Sequence, residues 1–412
     1  MNTLIIEGSE VSVESPALQS ILARAYQAKT RPLCGCKPDG VPMYIAKVAG
    51  QYLVKRMPDS GPDHDVQCES YDPPPELSGY GEVLGSAIRE DAETGLTTLR
   101  FDFALQKTGS RPPPAATEIE HDSAKADSTK LTIRALLHYL WDQAKLTHWR
   151  PSWSGRRSWG TVYKHLQLAL QGKQAKGGAL ADTVYIPAPY SPEKRDSLAA
   201  ARELVLSKLR GSASERKLGI LIGEVKSIES ARFGFRLVLK QVPDYSFSLT
   251  EDLMKRIKKR FENEIALWGG IDSSHLMAVA TFGVASSGLA AIEEIALVVT
   301  DGNWVPFGDL NEKTLMDRLN ENHRSYIKSL RYNMKRNKPL ASFELVDTNP
   351  PTALFIHPGD VGEEYQAEFS ELIENSKLQH WSWDLATPMP ALPGKSVNLH
   401  PPTVGQPKHA PN

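Results

Sequence analysis

All three cysteines of this 412-residue chain fall within residues 34–68, and a histidine stands among them. They read Cys34-Gly-Cys36 and His64-x-x-x-Cys68, two close pairs separated by a stretch with strand character. Four Cys/His donors grouped in this way are what a structural Zn²⁺ requires for tetrahedral coordination. The pairs bracket a predicted hairpin, Val41–Val48 and Gln51–Arg56, turned at Ala49-Gly50. A Cys-x-Cys pair curls around a metal more tightly than the usual Cys-x-x-Cys. The competing assignment is a redox pair at Cys34 and Cys36, with Cys68 incidental. Zinc here clamps a module too poor in apolar residues to fold alone, so ligand loss is expected to unfold it. Four protein ligands leave no position for a catalytic water, which makes the role structural.

The remaining composition is that of an ordinary soluble chain, 41% hydrophobic and 24% charged with a net charge of −1. Its length suggests two or three domains. No apolar run reaches the length of a membrane span, and the start, Met1-Asn-Thr-Leu, lacks the basic end and apolar core of a signal peptide. Few cysteines at metal-like spacing fit a reducing cytoplasm. The near-zero net charge argues against a protein coated in positive potential, so any nucleic-acid contact must come from local patches.

The sequence divides into a zinc-binding α+β module at 1–105, a Pro-, Ser- and charge-rich linker at 106–129, and a helical segment at 130–212. An α+β domain at 213–385 and a proline-rich disordered tail at 386–412 complete it. In the helical segment, Leu136, Leu137, Leu140 and Trp141 recur at helical spacing, with Ser128 or Thr129 available as cap. From Arg216 the period switches to two, predicting strands at Leu218–Ile228, Phe233–Val242, His275–Val284 and Ala290–Thr300. Between them lies a helix capped by Thr250, with Glu251-Asp252 at its positive end and a Gly269-Gly270 stop. The expected class is therefore α+β and multidomain.

Three segments carry charge and aromatic rings together. Trp149, Trp153 and Trp159 interleave with Arg150, Arg156 and Arg157; indole faces stack on unpaired bases and guanidinium grips phosphate. The same set reads as a helix corner with core tryptophans. Lys255, Arg256, Lys258, Lys259 and Arg260 crowd one helix opposite an apolar face, the pattern of a solvated surface. The run Arg324, Lys328, Arg331, Lys335, Arg336 and Lys338, with Tyr326 and Tyr332 between, reads equally as a phosphate grip or a plain basic loop.

Catalytic signals are weak. Glu224-Val-Lys226 matches half of a metal-dependent nuclease site, but Pro243-Asp244 follows it, in the wrong order. Asp347 ends a predicted strand, and the next strand, Ala353–His357, holds neither acid nor lysine. Gly394-Lys395-Ser396 lacks the earlier glycine of a phosphate-binding loop.

The motifs Arg31-Pro-Leu-Cys34-Gly-Cys36, His64-x-x-x-Cys68-Glu-Ser-Tyr71, Leu137-His-Tyr-Leu140-Trp141, Arg156-Arg-Ser-Trp159, Gly223-Glu-Val-Lys226, Trp304-Val-Pro-Phe307 and Tyr326-Ile-Lys328-Ser-Leu-Arg331-Tyr-Asn333 occur together. Over most of its length, to about residue 385, the chain resembles an uncharacterised bacterial family of unknown function. That family is often carried on plasmids and integrating conjugative elements, so the resemblance implies a genomic setting and no mechanism. The last folded part is loosely similar to degenerate nuclease-fold domains of the PD-(D/E)xK type, which implies a nuclease-like core with Asp347 at the first metal-binding position. The expected function is a cytoplasmic, non-catalytic, zinc-binding accessory protein of a mobile element that contacts nucleic-acid backbone. The alternatives are a protein–protein scaffold and a metal-dependent nuclease using Glu224, Lys226 or Asp347.

Overall fold

A computed structural model of the protein describes residues 3–48, 50–108, 128–211, 215–376 and 378–396. The chain is mixed α+β, with several sheets. It opens with β1 (Thr3–Ile6), β2 (Ser9–Ser12), α1 (Leu18–Gln27), β3 (Leu33–Cys34), β4 (Val41–Val48) and β5 (Gln51–Arg56). The β4–β5 hairpin lies where the sequence places it. These strands form one antiparallel sheet ordered β2-β1-β3-β4-β5. Its core is small: Leu4, Ile6, Leu22, Ala25 and Ile45, with a few half-buried neighbours.

Next come α2 (Tyr80–Val83), the hairpin β6 (Ile88–Glu90) and β7 (Thr97–Leu99), and β8 (Gln106–Thr108). Most of the expected linker, 109–127, lies outside the described residues. Beyond it are α3 (Ile133–Gln143), β9 (His148–Trp149), α4 (Trp159–Ala169), β10 (Lys173–Ala175), β11 (Gly178–Ala179), β12 (Val184–Tyr185) and α5 (Arg195–Ser207). The Thr132 side chain caps α3 by accepting from Ala135 N at 3.1 Å, in place of Ser128 or Thr129. This helix buries Ile133 and every residue from Ala135 to Trp141, as a helix wrapped by protein on all sides must.

The barrel follows: β13 (Glu215–Ser230), β14 (Phe235–Leu239), β15 (Val242–Leu249), α6 (Glu251–Arg260), α7 (Glu262–Gly270), β16 (His275–Val284) and β17 (Ala290–Thr300). β13 pairs antiparallel with β14, β14 with β15, and β17 with β16; β15 and β17 run parallel. β16 then pairs antiparallel with β13 from Leu218↔Gly283 to Glu224↔Met277, closing the ring. The cyclic order β13-β14-β15-β17-β16, with helices inserted between the third and fourth strands, is the connectivity of an oligonucleotide/oligosaccharide-binding (OB) barrel. β16 is buried on both faces from Leu276 to Val284, against the barrel interior on one side and α3 and α7 on the other.

The chain ends with β18 (Pro306–Phe307), α8 (Leu310–Glu321), β19 (Tyr326–Lys328), β20 (Ala341–Leu345), β21 (Thr352–His357), α9 (Glu363–Ser376) and β22 (Gln379–Asp384). Here the sheet order is β22-β21-β20-β19-β9, antiparallel except for the β21–β22 pair. Strand pairing joins the stretches read from the sequence as separate units: β8 lies on β13, β10 on β7, β12 on β13 and β9 on β19. One apolar core accordingly runs from Val83 to Trp383. The tail also differs from expectation up to Ser396. Trp381 Nε1 donates to Ala391 O at 2.9 Å, Arg324 Nη1 to Pro393 O at 2.7 Å, and Ser396 N to Asp347 O at 2.9 Å. Residues 397–412 lie outside the described residues.

A polar seam fastens the first module to the body. The Asp72 carboxylate meets Arg56, Lys145 and, at 3.5 Å, His148 Nε2. Burial opposes its charge, but Lys145, Arg56 and His148 outweigh burial and hold the carboxyl down at about 2. Gly79 N donates to Leu330 O at 3.0 Å, and a Cβ at Gly79 would lie 1.9 Å from Arg331 O, so only glycine permits this approach. The Tyr71 hydroxyl donates to Glu344 on β20, a residue 1% exposed. Burial pushes the Glu344 carboxyl up from 4.5 to about 7. The unfolded chain releases this proton near the ordinary value, whereas the folded chain holds it to about 7. Between the two values the folded state binds the extra proton, and stability falls as pH rises. Glu344→Gln keeps the acceptor for Tyr71 and removes the titration. Urea unfolding of zinc-replete protein should therefore show the variant more stable than wild type at pH 8, by about 3 kcal/mol at most, with the gap closing towards pH 5.5. A gap independent of pH would contradict this assignment.

Candidate metal centre and basic surfaces

The four ligands predicted from sequence converge. Cys34 ends β3, held by its pairing to Leu4 of β1 and Val41 of β4. Gly35 N donates to Thr3 O at 2.9 Å, turning the chain so that Cys36 faces back. His64 caps a short 3₁₀ turn, Gly61–Asp63, and Cys68 N closes the next turn on Asp65 O at 2.8 Å. Cys34 Sγ stands 3.6 Å from Cys68 Sγ; His64 Nδ1 stands 3.4 Å from Cys36 Sγ and 3.8 Å from Cys68 Sγ. All four ligand atoms lie within 4.8 Å of one another. A tetrahedral zinc with bonds of about 2.3 Å to sulfur and 2.0 Å to nitrogen sets ligand separations of about 3.5–3.8 Å. The donor set fits that ion.

Without an ion, burial pushes the Cys34 thiol up to about 12, so a bound cation is what would draw the thiolate out. Burial, with Arg56 nearby, lowers the His64 imidazole below its ordinary value, which keeps it neutral and able to ligate. His64 is 2% exposed and its Nε2 has no hydrogen-bond partner among the described residues. The position of the ring is thus explained by what Nδ1 meets. Asp65 N points at Cys36 Sγ at 3.5 Å and Ser70 N at Cys68 Sγ at 3.4 Å, contacts that stabilise thiolate charge. Zinc would be held by Cys34, Cys36, His64 and Cys68, clamping the β3–β4 turn to the 61–72 loop that carries Tyr71 and Asp72.

The sequence-predicted nucleic-acid residues separate into interior and surface. Trp149 and Trp159 are core. Arg157 is sandwiched by Trp149 and Trp153 at 5.6 and 5.1 Å and donates to Leu146 O at 2.8 Å, Asn303 O at 3.3 Å and His148 O. Trp153 is half-buried and Arg156 exposed. Arg324 is buried in a bidentate pair with Asp347, 2.7 Å from Nη2 to Oδ1. Lys328, also buried, lies 2.9 Å from Glu312 on α8. Arg331 braces its own loop by donating to Lys335 O at 3.0 Å and Lys338 O at 3.1 Å. Lys335 is half-buried, and Arg336 alone of the five cations named between Arg324 and Arg336 is open, at 65% exposure.

The exposed cations lie on α6 instead. Lys255, Arg256, Lys258, Lys259 and Arg260 all face solvent, opposite buried Leu253, Met254 and Ile257. Arg134 and Arg336, which flank Glu264, continue the positive surface. In the sequence this run is indistinguishable from an ordinary solvated helix face, because its position beside Arg336 depends on the fold.

The weak catalytic candidates are not assembled with one another. Glu224, 4% exposed, is held by His275 Nδ1 at 2.7 Å, Lys240 Nζ at 2.6 Å and Gln241 Nε2 at 3.4 Å. Burial opposes its charge, and the contacts with His275 and Lys240 lower its carboxyl below the ordinary range. His275 in turn stacks on Trp304 at 3.9 Å. Lys226 is exposed past a bulge between Val225 and Ser227, and Asp347 is occupied by Arg324 and by Ser325 N at 2.9 Å.

Metal analysis of protein purified without chelator should give about one zinc per chain, and Cys36→Ser should lose it. Chelation should unfold the first module first, read as loss of amide protection across residues 3–72, and acidification should release the metal as the ligands protonate. Retention of native protection after complete metal removal would contradict the clamp.

Among the described residues no helix is long and apolar enough to cross a membrane. No curated protein and no solved structure matches the chain. A family model does match, over residues 5–386, and the chain belongs to the family described as "Protein of unknown function (DUF1173)".

Proposed function

We propose that this is a zinc-stabilised, non-catalytic nucleic-acid-binding protein that holds backbone phosphate on the exposed face of α6. The observation that carries the reading is the concentration of Lys255, Arg256, Lys258, Lys259 and Arg260 on one surface, continued by Arg336. On a chain of net charge −1 such a patch is a local field, suited to a polyanion without coating the molecule in positive charge. An OB-type barrel beside the patch is consistent with this use, although fold alone does not assign it.

The non-catalytic part rests on the occupied acids. The nuclease-like core that the resemblance implies would span α8 to β22, ordered helix, three strands, helix, strand. Its acid Asp347 is bound by Arg324, and the strand after it offers Phe355, Ile356 and His357. The role as an accessory protein of a mobile element rests on the sequence resemblance. Zinc serves stability, with no part in chemistry.

The triple variant Lys255→Ala, Arg256→Ala, Lys259→Ala should weaken binding to all DNA sequences alike. It should also make the dependence of log affinity on log salt shallower by about 2–3. Fluorescence anisotropy over a salt series, on full-length zinc-replete protein, reads both. An affinity and slope equal to wild type, or no binding of DNA even at low salt, would overturn the reading.

A further inference from the structure

Resting on that reading, we infer that the ligand is a single strand, laid across the outer face of β14 and β15 with one base stacked on Phe233. Alternation fixes which side chains are available. Leu237 and Phe247, paired with each other and fully buried, point into the barrel. Their neighbours Arg236 and Val238, opposite Ser248 and Ser246, therefore line the outer face. On that face Val238 is buried, and the charge of Arg236 is paired with Glu229 at 2.6 Å. Two loops bound it. The β13–β14 turn lies beside Leu249, and the β16–β17 turn lies beside Tyr245, whose hydroxyl donates to Gly288 O at 3.2 Å. From Tyr245 to Leu249 the platform is about 13 Å long, the scale of two or three nucleotides.

The β13–β14 turn presents the aromatic ring. Phe233 is 82% exposed, the most open of the large apolar side chains in the described residues. Arg232 lies over its ring at 5.3 Å. Gly234 takes φ +76°, and a Cβ there would stand 2.4 Å from Leu249 O, so the turn is pinned against the barrel and the ring is displayed from a fixed base. Immediately below, Lys258 Nζ stands 5.8 Å from the Phe235 ring. Lys255 and Lys259 share that side of α6 by helical spacing.

The surface thus sets an exposed aromatic ring beside a row of cations, Arg232, Lys255, Lys258 and Lys259, against the acids Glu251 and Asp252 at the start of α6. The ring face turned away from Arg232 can stack on an unpaired base, whereas duplex bases offer no face without unstacking. Cations spaced along the edge of the platform match a phosphate backbone running past it. Charge and ring together specify a single-stranded nucleic acid.

The test uses full-length zinc-replete protein, a labelled oligothymidylate of about 15 nucleotides, an oligouridylate and a mixed-sequence duplex of the same length. Either single strand should bind at least about tenfold tighter than the duplex. Phe233→Ala should lose roughly five- to a hundredfold in single-strand affinity with the salt slope unchanged, and Phe233→Trp should restore it. Because the side chain is exposed, thermal unfolding of both variants should match wild type. Equal or tighter binding of duplex, or single-strand affinity indifferent to Phe233→Ala, would overturn this inference and leave the α6 reading standing. Failure of every oligonucleotide to bind at low salt would overturn both.

Discussion

The pairing of β13 with β16 is the constraint on which most of the architecture depends. β13 already carries β14 on one edge, and its second partner turns an open sheet into a barrel. Closure requires the walls to approach closely, and two glycines make room. A Cβ at Gly219 would lie 2.9 Å from Phe282 Cε1 of β16 and one at Gly223 2.6 Å from Leu239 Cδ1 of β14. The same strand receives β8 and β12 on its first half. In this way a single strand gathers segments from three stretches of the sequence. The barrel then supports both α3 and α6, which pack on β17.

The first module is held by different means. Its apolar core is too small to carry much stability, and a Cys/His metal set supplies a cross-link that burial cannot. The loop fixed by His64 and Cys68 then delivers Tyr71 and Asp72 to the seam. There the half-buried Asp72 carboxylate is surrounded by Arg56, Lys145 and His148. Charges partly withdrawn from water in this way add little net stability when paired and are disfavoured when left unpaired. The metal and the seam therefore act in series: one shapes the loop and the other reads its shape.

The metal centre was legible because its chemistry is written in residue type and spacing, which survive without knowledge of the fold. The β4–β5 hairpin, α6 with its Thr250 cap, and strands β16 and β17 were legible for a similar reason, being strongly periodic and well punctuated. What the sequence could not convey was pairing between distant segments. Barrel closure, and the attachment of β9 to β19, are set by contacts across scores of residues. The basic residues are ambiguous in the sequence for the same cause. Arg324, Lys328 and Arg331 resemble a phosphate grip until Asp347, Glu312 and the carbonyls of Lys335 and Lys338 are placed against them. The α6 cations look like routine solvation until Phe233 and Arg336 are placed nearby. Residues 388–396 read as a tail because proline-rich sequence hides the backbone hydrogen bonds it makes to the body.

The most direct measurement is amide hydrogen exchange of the zinc-replete protein with and without a saturating single-stranded oligonucleotide. The account predicts new protection concentrated on the β13–β14 turn and on α6, with the metal module and the Trp149–Trp159 corner unchanged. Protection centred on the Trp153–Arg156 surface, or on residues 326–333, would contradict it.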